Sequence, residues 1–136
     1  MVKKSTIESI IREDMADMWA LLNPDEKRII TDNFHIQTFK KNEMIYSEGE
    51  KATQLMCLLI KGKVKIFKEG VGGRSQIIRL IRPVQYFGYR AYFAGENYVT
   101  AASAFETATI GFLPMNIIET QIRKNNQLAY FFIKEL

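Results

Sequence analysis

The residue types able to do chemistry gather between Tyr86 and Ala104, which reads Tyr-Phe-Gly-Tyr-Arg-Ala-Tyr-Phe-Ala-Gly-Glu-Asn-Tyr-Val-Thr-Ala-Ala-Ser-Ala. The chemistry this order suits is binding. Gly88 lacks a Cβ and lets backbone come close. One short helical turn comes after it, then a small polar loop at 94–97, then a β-branched, small-residue strand from Val99. Strand, glycine, turn, loop, strand can wall a small-ligand pocket. The N–H groups that open the turn suit an anion. The same Phe-Gly pair also reads as an ordinary tight connection.

Catalysis finds little to work with. The chain has one histidine, His35, and one cysteine, Cys57. That count excludes an internal disulfide and a cysteine-built zinc or iron–sulfur site within one chain. A cupin-like metalloenzyme needs several histidines and a carboxylate, and His35 reads as a surface or turn residue. Cys57 lies in an apolar strand and reads as a small buried residue. No paired catalytic carboxylates, nucleophile elbow or Walker-type loop occurs. We therefore expect no catalytic residue, metal or cofactor, and no enzyme. Lys61, Lys63, Lys65 and Lys68, near Phe67, could touch nucleic acid. Alternating lysines on a strand read better as solubility and edge protection.

The elements that must position the Tyr86–Ala104 stretch fit one domain. The chain has 136 residues, 47% hydrophobic and 25% charged, with a net charge of +4. That describes a globular chain with a real core. It holds no run of about 18 apolar residues, so no membrane span is expected. The first residues, without an apolar signal core, suggest a cytoplasmic protein.

Apolar residues at Ile7, Ile10, Ile11, Met15, Met18, Trp19 and Leu22 predict one amphipathic helix from Thr6 to Leu22. Asn23-Pro24-Asp25-Glu26 predicts a capped second helix ending near Asn33. From Ile36 the period becomes two. Strands are expected at Ile36–Phe39, Met44–Tyr46, Gln54–Ile60, Lys63–Lys68, Ser75–Ile81 and Thr107–Leu113, with a glycine hairpin turn at 69–73. Pro114 opens a helix over Met115–Lys124, and a largely apolar helix runs from Leu128 to Leu136.

Helices, then many short strands, then two helices resemble the sensor domain of the Crp/Fnr transcription regulators, of cyclic-nucleotide-binding type. The residues that carry the resemblance are Glu48-Gly49-Glu50, Leu59-Ile60-Lys61-Gly62-Lys63-Val64, Gly73, Phe87-Gly88 and the strand from Ala101 to Ala104. The resemblance covers nearly the whole chain. It implies a mainly β fold with flanking helices, an antiparallel double-stranded β-helix, also called a jelly roll or β-roll. It further implies a long dimerising helix after the roll and a helix-turn-helix domain that binds DNA.

At the ligand positions the chain departs from that family. Nucleotide-binding relatives carry a glutamate after the Phe-Gly pair for the ribose hydroxyl, where this chain has Tyr89. They carry an arginine before the next strand for the cyclic phosphate, where this chain has Tyr98. An arginine–phosphate pair is bidentate and charge-assisted, contributing about 1.5–3 kcal/mol, and tyrosine offers a single neutral donor. Cyclic AMP is therefore not expected to bind in the usual way. The pocket residues implied are Phe87, Gly88, Tyr89, Arg90, Ala91, Tyr92, Tyr98, Val99 and Thr100. Three readings stay open. Tyr89, Tyr92 and Tyr98 fill the pocket; or they line a site for a flatter, less charged molecule; or Arg90 replaces the lost anion partner. Helical spacing makes Arg90 read as a surface arginine pointing away from Tyr89.

The expected organisation is a β-roll with its helices over 1–126 and the start of a dimerisation helix over 127–136. A homodimer is expected through Leu128, Phe131, Phe132 and Leu136. The uncapped stop at Leu136 suggests a cut element, with DNA contacted only through a domain not present here and an unknown small-molecule effector possible. The alternative is a stand-alone β-roll module that binds a small ligand or a protein.

Overall fold

The computed structural model describes residues 3–52 and 54–135. The chain divides into a helical unit, formed by residues up to His35 with those from Leu113 on, and a β unit, Ile36–Phe112.

The helical unit begins with α1 (Lys4–Asp14) and α2 (Ala16–Trp19), followed by α3 (Pro24–Asp32). A single helix from Thr6 to Leu22 is not what forms. Met15 leaves the helical region at φ −113°, ψ 34° and separates α1 from α2. The apolar spacing survives the break, because Ile11, Met15 and Met18 are all buried. Helix α3 starts as its sequence requires. The Glu26 N–H donates to Asn23 Oδ1 at 2.8 Å, and the Asn23 N–H donates to Glu26 Oε1 at 2.9 Å. That reciprocal pair satisfies two helix-end donors.

In the β unit, β1 (His35–Phe39), β2 (Met44–Tyr46), β3 (Leu55–Lys61), β4 (Val64–Glu69), β5 (Ser75–Ile81) and β6 (Tyr86–Phe87) lead to helix α4 (Arg90–Ala94). Then come β7 (Ala101–Ala104) and β8 (Ala108–Pro114). The strands form two four-stranded sheets, ordered β1-β8-β3-β6 and β2-β7-β4-β5. Successive strands alternate between sheets often enough to make this a jelly roll. The apolar faces meet over Phe39, Leu59, Val64, Ile81, Phe87 and Ile110, all buried. The fold class expected from the sequence is the one observed.

The β4–β5 ladder is not regular. The two strands pair antiparallel, with Ile66 opposite Arg79 and Phe67 opposite Ile77. Ile78 is the extra residue of a β-bulge. A bulge bends its strand and re-aims the side chains beside it.

Helices α5 (Met115–Lys124) and α6 (Asn126–Glu135) close the helical unit. Between them, the Asn125 side-chain amide donates to the Leu21 carbonyl at 2.8 Å and to Glu26 Oε1 at 3.2 Å. Its Oδ1 accepts from the Leu128 N–H at 3.0 Å. The expected dimer residues stand elsewhere than the sequence suggests. Leu128, Phe131 and Phe132 are buried, at 1%, 7% and 3% exposure, whereas α6 exposes Tyr130 at 61% and Ile133 at 64%. Their i, i+3, i+4 spacing therefore serves the chain's own interior. Leu136 lies outside the described residues. Among the described residues, no helix is long and apolar enough to cross a membrane.

Candidate ligand cavity in the β-roll

Gly88 comes directly after β6 with φ +79°, a left-handed conformation that glycine adopts without strain. A Cβ there would stand 3.3 Å from Cys57 Sγ and 3.5 Å from the Tyr46 ring. The chain then turns through Tyr89 into α4 and leaves it at Gly95. The loop beyond is tied to residues 49–50. The Gly49 N–H donates to the Tyr98 carbonyl at 2.8 Å, the Tyr98 N–H to the Glu50 carbonyl at 2.9 Å, and the Asn97 amide to the Gly49 carbonyl at 3.2 Å.

This turn, with residues of β2, β4 and β5 and the approach to β7, encloses a cavity of about 240 Å³. Of the residues expected to form a pocket, Phe87, Gly88, Tyr89, Arg90, Ala91, Tyr98, Val99 and Thr100 line it. Tyr92 does not. The cavity touches only the first turn of α4, and Tyr92 sits beyond it, its ring edge-on to Phe93 at 5.8 Å. It borders a separate shallow depression with Lys51 and Asn97. Arg90, expected to point away, is exposed yet lines the cavity beside Tyr89. A turn this short presents adjacent residues to one space.

The two tyrosines at the altered ligand positions are both buried. Tyr98 lies flat on Tyr46, with ring centroids 3.9 Å apart and planes 13° apart. Tyr89 meets Phe93 edge-on at 6.4 Å. Tyrosine thus occupies space on two sides of the cavity without closing it.

The remaining wall comes from residues that the sequence reading passed over: Tyr46, Ile66, Ile78, Arg79, Ile81 and Tyr86. Arg79 is the important one. The bulge at Ile78 puts two consecutive β5 residues, Ile78 and Arg79, on the same cavity. The sequence signal was the doublet Ile77-Ile78, which breaks the alternation of a half-buried strand.

Burial also tunes two neutral acids beside the cavity. It raises the Cys57 thiol above its ordinary value of 9.0. It raises the Tyr46 phenol above 10.0, with Cys57 and Tyr98 adding to the shift and a hydrogen bond to Thr100 opposing it. Both groups hold their protons more tightly folded than unfolded. Stability is therefore complete below pH 9 and falls as pH rises from 9.0 toward the native values, by up to about 1.4 kcal/mol per pH unit for each group. Urea midpoints should decline between pH 9 and 11, and Cys57→Ala should remove the earlier part of the decline. A midpoint that stays flat across that range would contradict the burial of both groups.

A Phe-Gly turn backed by two four-stranded sheets, with a cavity against the turn, defines a β-roll of the cyclic-nucleotide-binding type. The family described as "Cyclic nucleotide-binding domain" matches residues 36–125, and the chain belongs to it. An uncharacterised protein of Haemophilus influenzae is 27% identical over 100 residues, which are 74% of this chain and 77% of that protein. A cGMP-dependent protein kinase of Toxoplasma gondii is 35% identical over 71 residues, 52% of this chain and only 6% of the kinase. Among solved structures, the sensor domain of the transcriptional regulator DNR from Pseudomonas aeruginosa matches with a TM-score of 0.83 and 17% identity. The match covers 97% of this chain and 87% of that domain. At that identity the likeness establishes the fold. It is a cyclic-nucleotide-binding sensor fold resembling those of Crp/Fnr regulators.

Proposed function

We propose that the chain is the effector-sensing and dimerisation part of a Crp/Fnr-like DNA-binding transcription regulator, and that it does not bind cyclic AMP in the usual way. The observation that carries the second half is the pair Tyr89 and Tyr98. Both are buried at the cavity, where the family resemblance puts a ribose-binding glutamate and a phosphate-binding arginine. A cyclic phosphate placed there would lose its bidentate partner. The likeness to the DNR sensor domain, a regulator's domain matched over nearly its whole length, supports the first half. DNA would be contacted by residues outside this chain. Two protomers would meet along the exposed face of α6, through Tyr130 and Ile133.

Titration calorimetry with cyclic AMP is expected to show no saturable binding below about 1 mM. A micromolar dissociation constant would overturn the reading of the two tyrosines.

A second reading, a stand-alone β-roll binding module, is favoured by one observation. The Haemophilus influenzae relative is matched over 77% of its length, so that protein is little longer than one such domain. The reading frame that carries residues 1–136 separates the two. Continuation into a helix-turn-helix supports the regulator, and a stop codon at that point supports the module.

A further inference from the structure

The geometry points to a small organic carboxylate with an apolar body as the molecule that the β-roll cavity takes, its charge met by Arg79 from β5 together with Arg90 from α4. This inference rests on the reading of the cavity as the effector site and names the chemical class of the effector.

Size comes first. The cavity is small, at about 240 Å³. The space falls below the usual range of about 300–1,000 Å³ for drug-sized ligands.

Charge comes second. The lining contains two arginines and no aspartate or glutamate. Among the described residues, neither arginine forms an ion pair. The cavity is therefore a cationic space with no internal counter-charge. Where the family resemblance puts an arginine this chain has Tyr98, and the positive charge at the cavity comes instead from Arg79, beside the bulge at Ile78, and from Arg90. A guanidinium presents a planar fork of donors that fits a carboxylate in bidentate fashion.

Shape comes third. Ile66, Ile78 and Ile81 give an aliphatic wall, and Tyr98 and Phe87 an aromatic one. Ile78 is 54% exposed, so an apolar body entering the cavity would cover surface now left to water. A small apolar body with one carboxylate satisfies all three conditions.

The test uses residues 1–136 labelled with nitrogen-15. Benzoate, phenylacetate and 3-methylbutanoate are titrated, each beside its uncharged amide, and amide shifts are followed. At least one acid should shift Ile78, Gly88, Tyr89 and Thr100 saturably, with its amide at least tenfold weaker. Arg79→Gln should weaken that acid tenfold or more, and Arg90→Gln should weaken it less, because α4 offers only its first turn. Both arginines are exposed, so both variants should keep the wild-type spectrum elsewhere. If amides bind as well as acids at these residues, the carboxylate inference is overturned and the cavity remains the effector site. If neither series shifts them, the ligand class is overturned, and the regulator reading is decided separately by the reading frame.

Discussion

Phe132→Asp should unfold the chain instead of releasing folded monomers. Phe132 is 3% exposed and meets Phe131 edge-on at 5.5 Å. Removing a buried phenylalanine costs about 3–5 kcal/mol from the lost contacts and the cavity left behind. The aspartate must then be buried as a charge or take up a proton, and either adds to the loss. Against a total stability of about 5–15 kcal/mol, that is enough to leave much of the chain unfolded. Circular dichroism and urea titration measure it directly. A variant that melts within a few degrees of wild type would show that Phe132 is not an interior residue. The proper probe of a dimer is Ile133→Asp, because Ile133 is exposed. That change should alter stability by no more than about 0.5 kcal/mol. In sedimentation it should shift dimer to monomer if two copies meet along α6; an unchanged dimer would place the interface elsewhere.

Gly62→Ala should be the second most damaging single change. Gly62 joins β3 to β4 with φ +95°. A Cβ there would stand 2.8 Å from the Ala108 Cα and 3.1 Å from its Cβ, with the Thr107 carbonyl also in its way. Two of these three obstacles are backbone, and Ala108 opens the buried strand β8, so nothing flexible can give. Backbone strain of about 1–3 kcal/mol and overpacking of a similar size act together, for a loss of about 3 kcal/mol or more. The melting temperature should fall by about 10 °C. A fall of only a degree or two would mean that β3 and β8 separate more easily than their burial implies.

These two sites show what could be read in the sequence and what could not. Glycine at 62 and 88, the Asn23–Glu26 cap and the span Met115–Lys124 were legible because each is a local signal with a local cause. The strands of the roll were legible for the same reason, being bounded by turn residues. The break at Met15 was not, because a helix can change direction while its apolar spacing continues. Strand β6 was not either, because two residues have no period. Helix α6 misled for a subtler reason. Leu128, Phe131 and Phe132 announce an apolar face but not whose interior it fills, and only the fold shows that it is the chain's own. The Phe-Gly turn of the cavity was visible from its motif. Arg79 was not, because it reaches the cavity from a distant strand, and the Ile77-Ile78 doublet marks a break in alternation without saying which space the next side chain faces.

Asn125 gives the C-terminal helix a fulcrum. One amide clamps the Leu21 carbonyl and the Glu26 carboxylate, and its oxygen holds the first turn of α6 through Leu128. The near end of α6 is thus riveted to the start of α3, and Phe131 and Phe132 further along it are buried. Ten residues at 1.5 Å each make a lever arm of about 15 Å, so a tilt of about 10° about Asn125 would sweep the far end by roughly 2.6 Å. The near end would hardly move. Whatever is joined to α6 would feel a change in angle much more than a change in position.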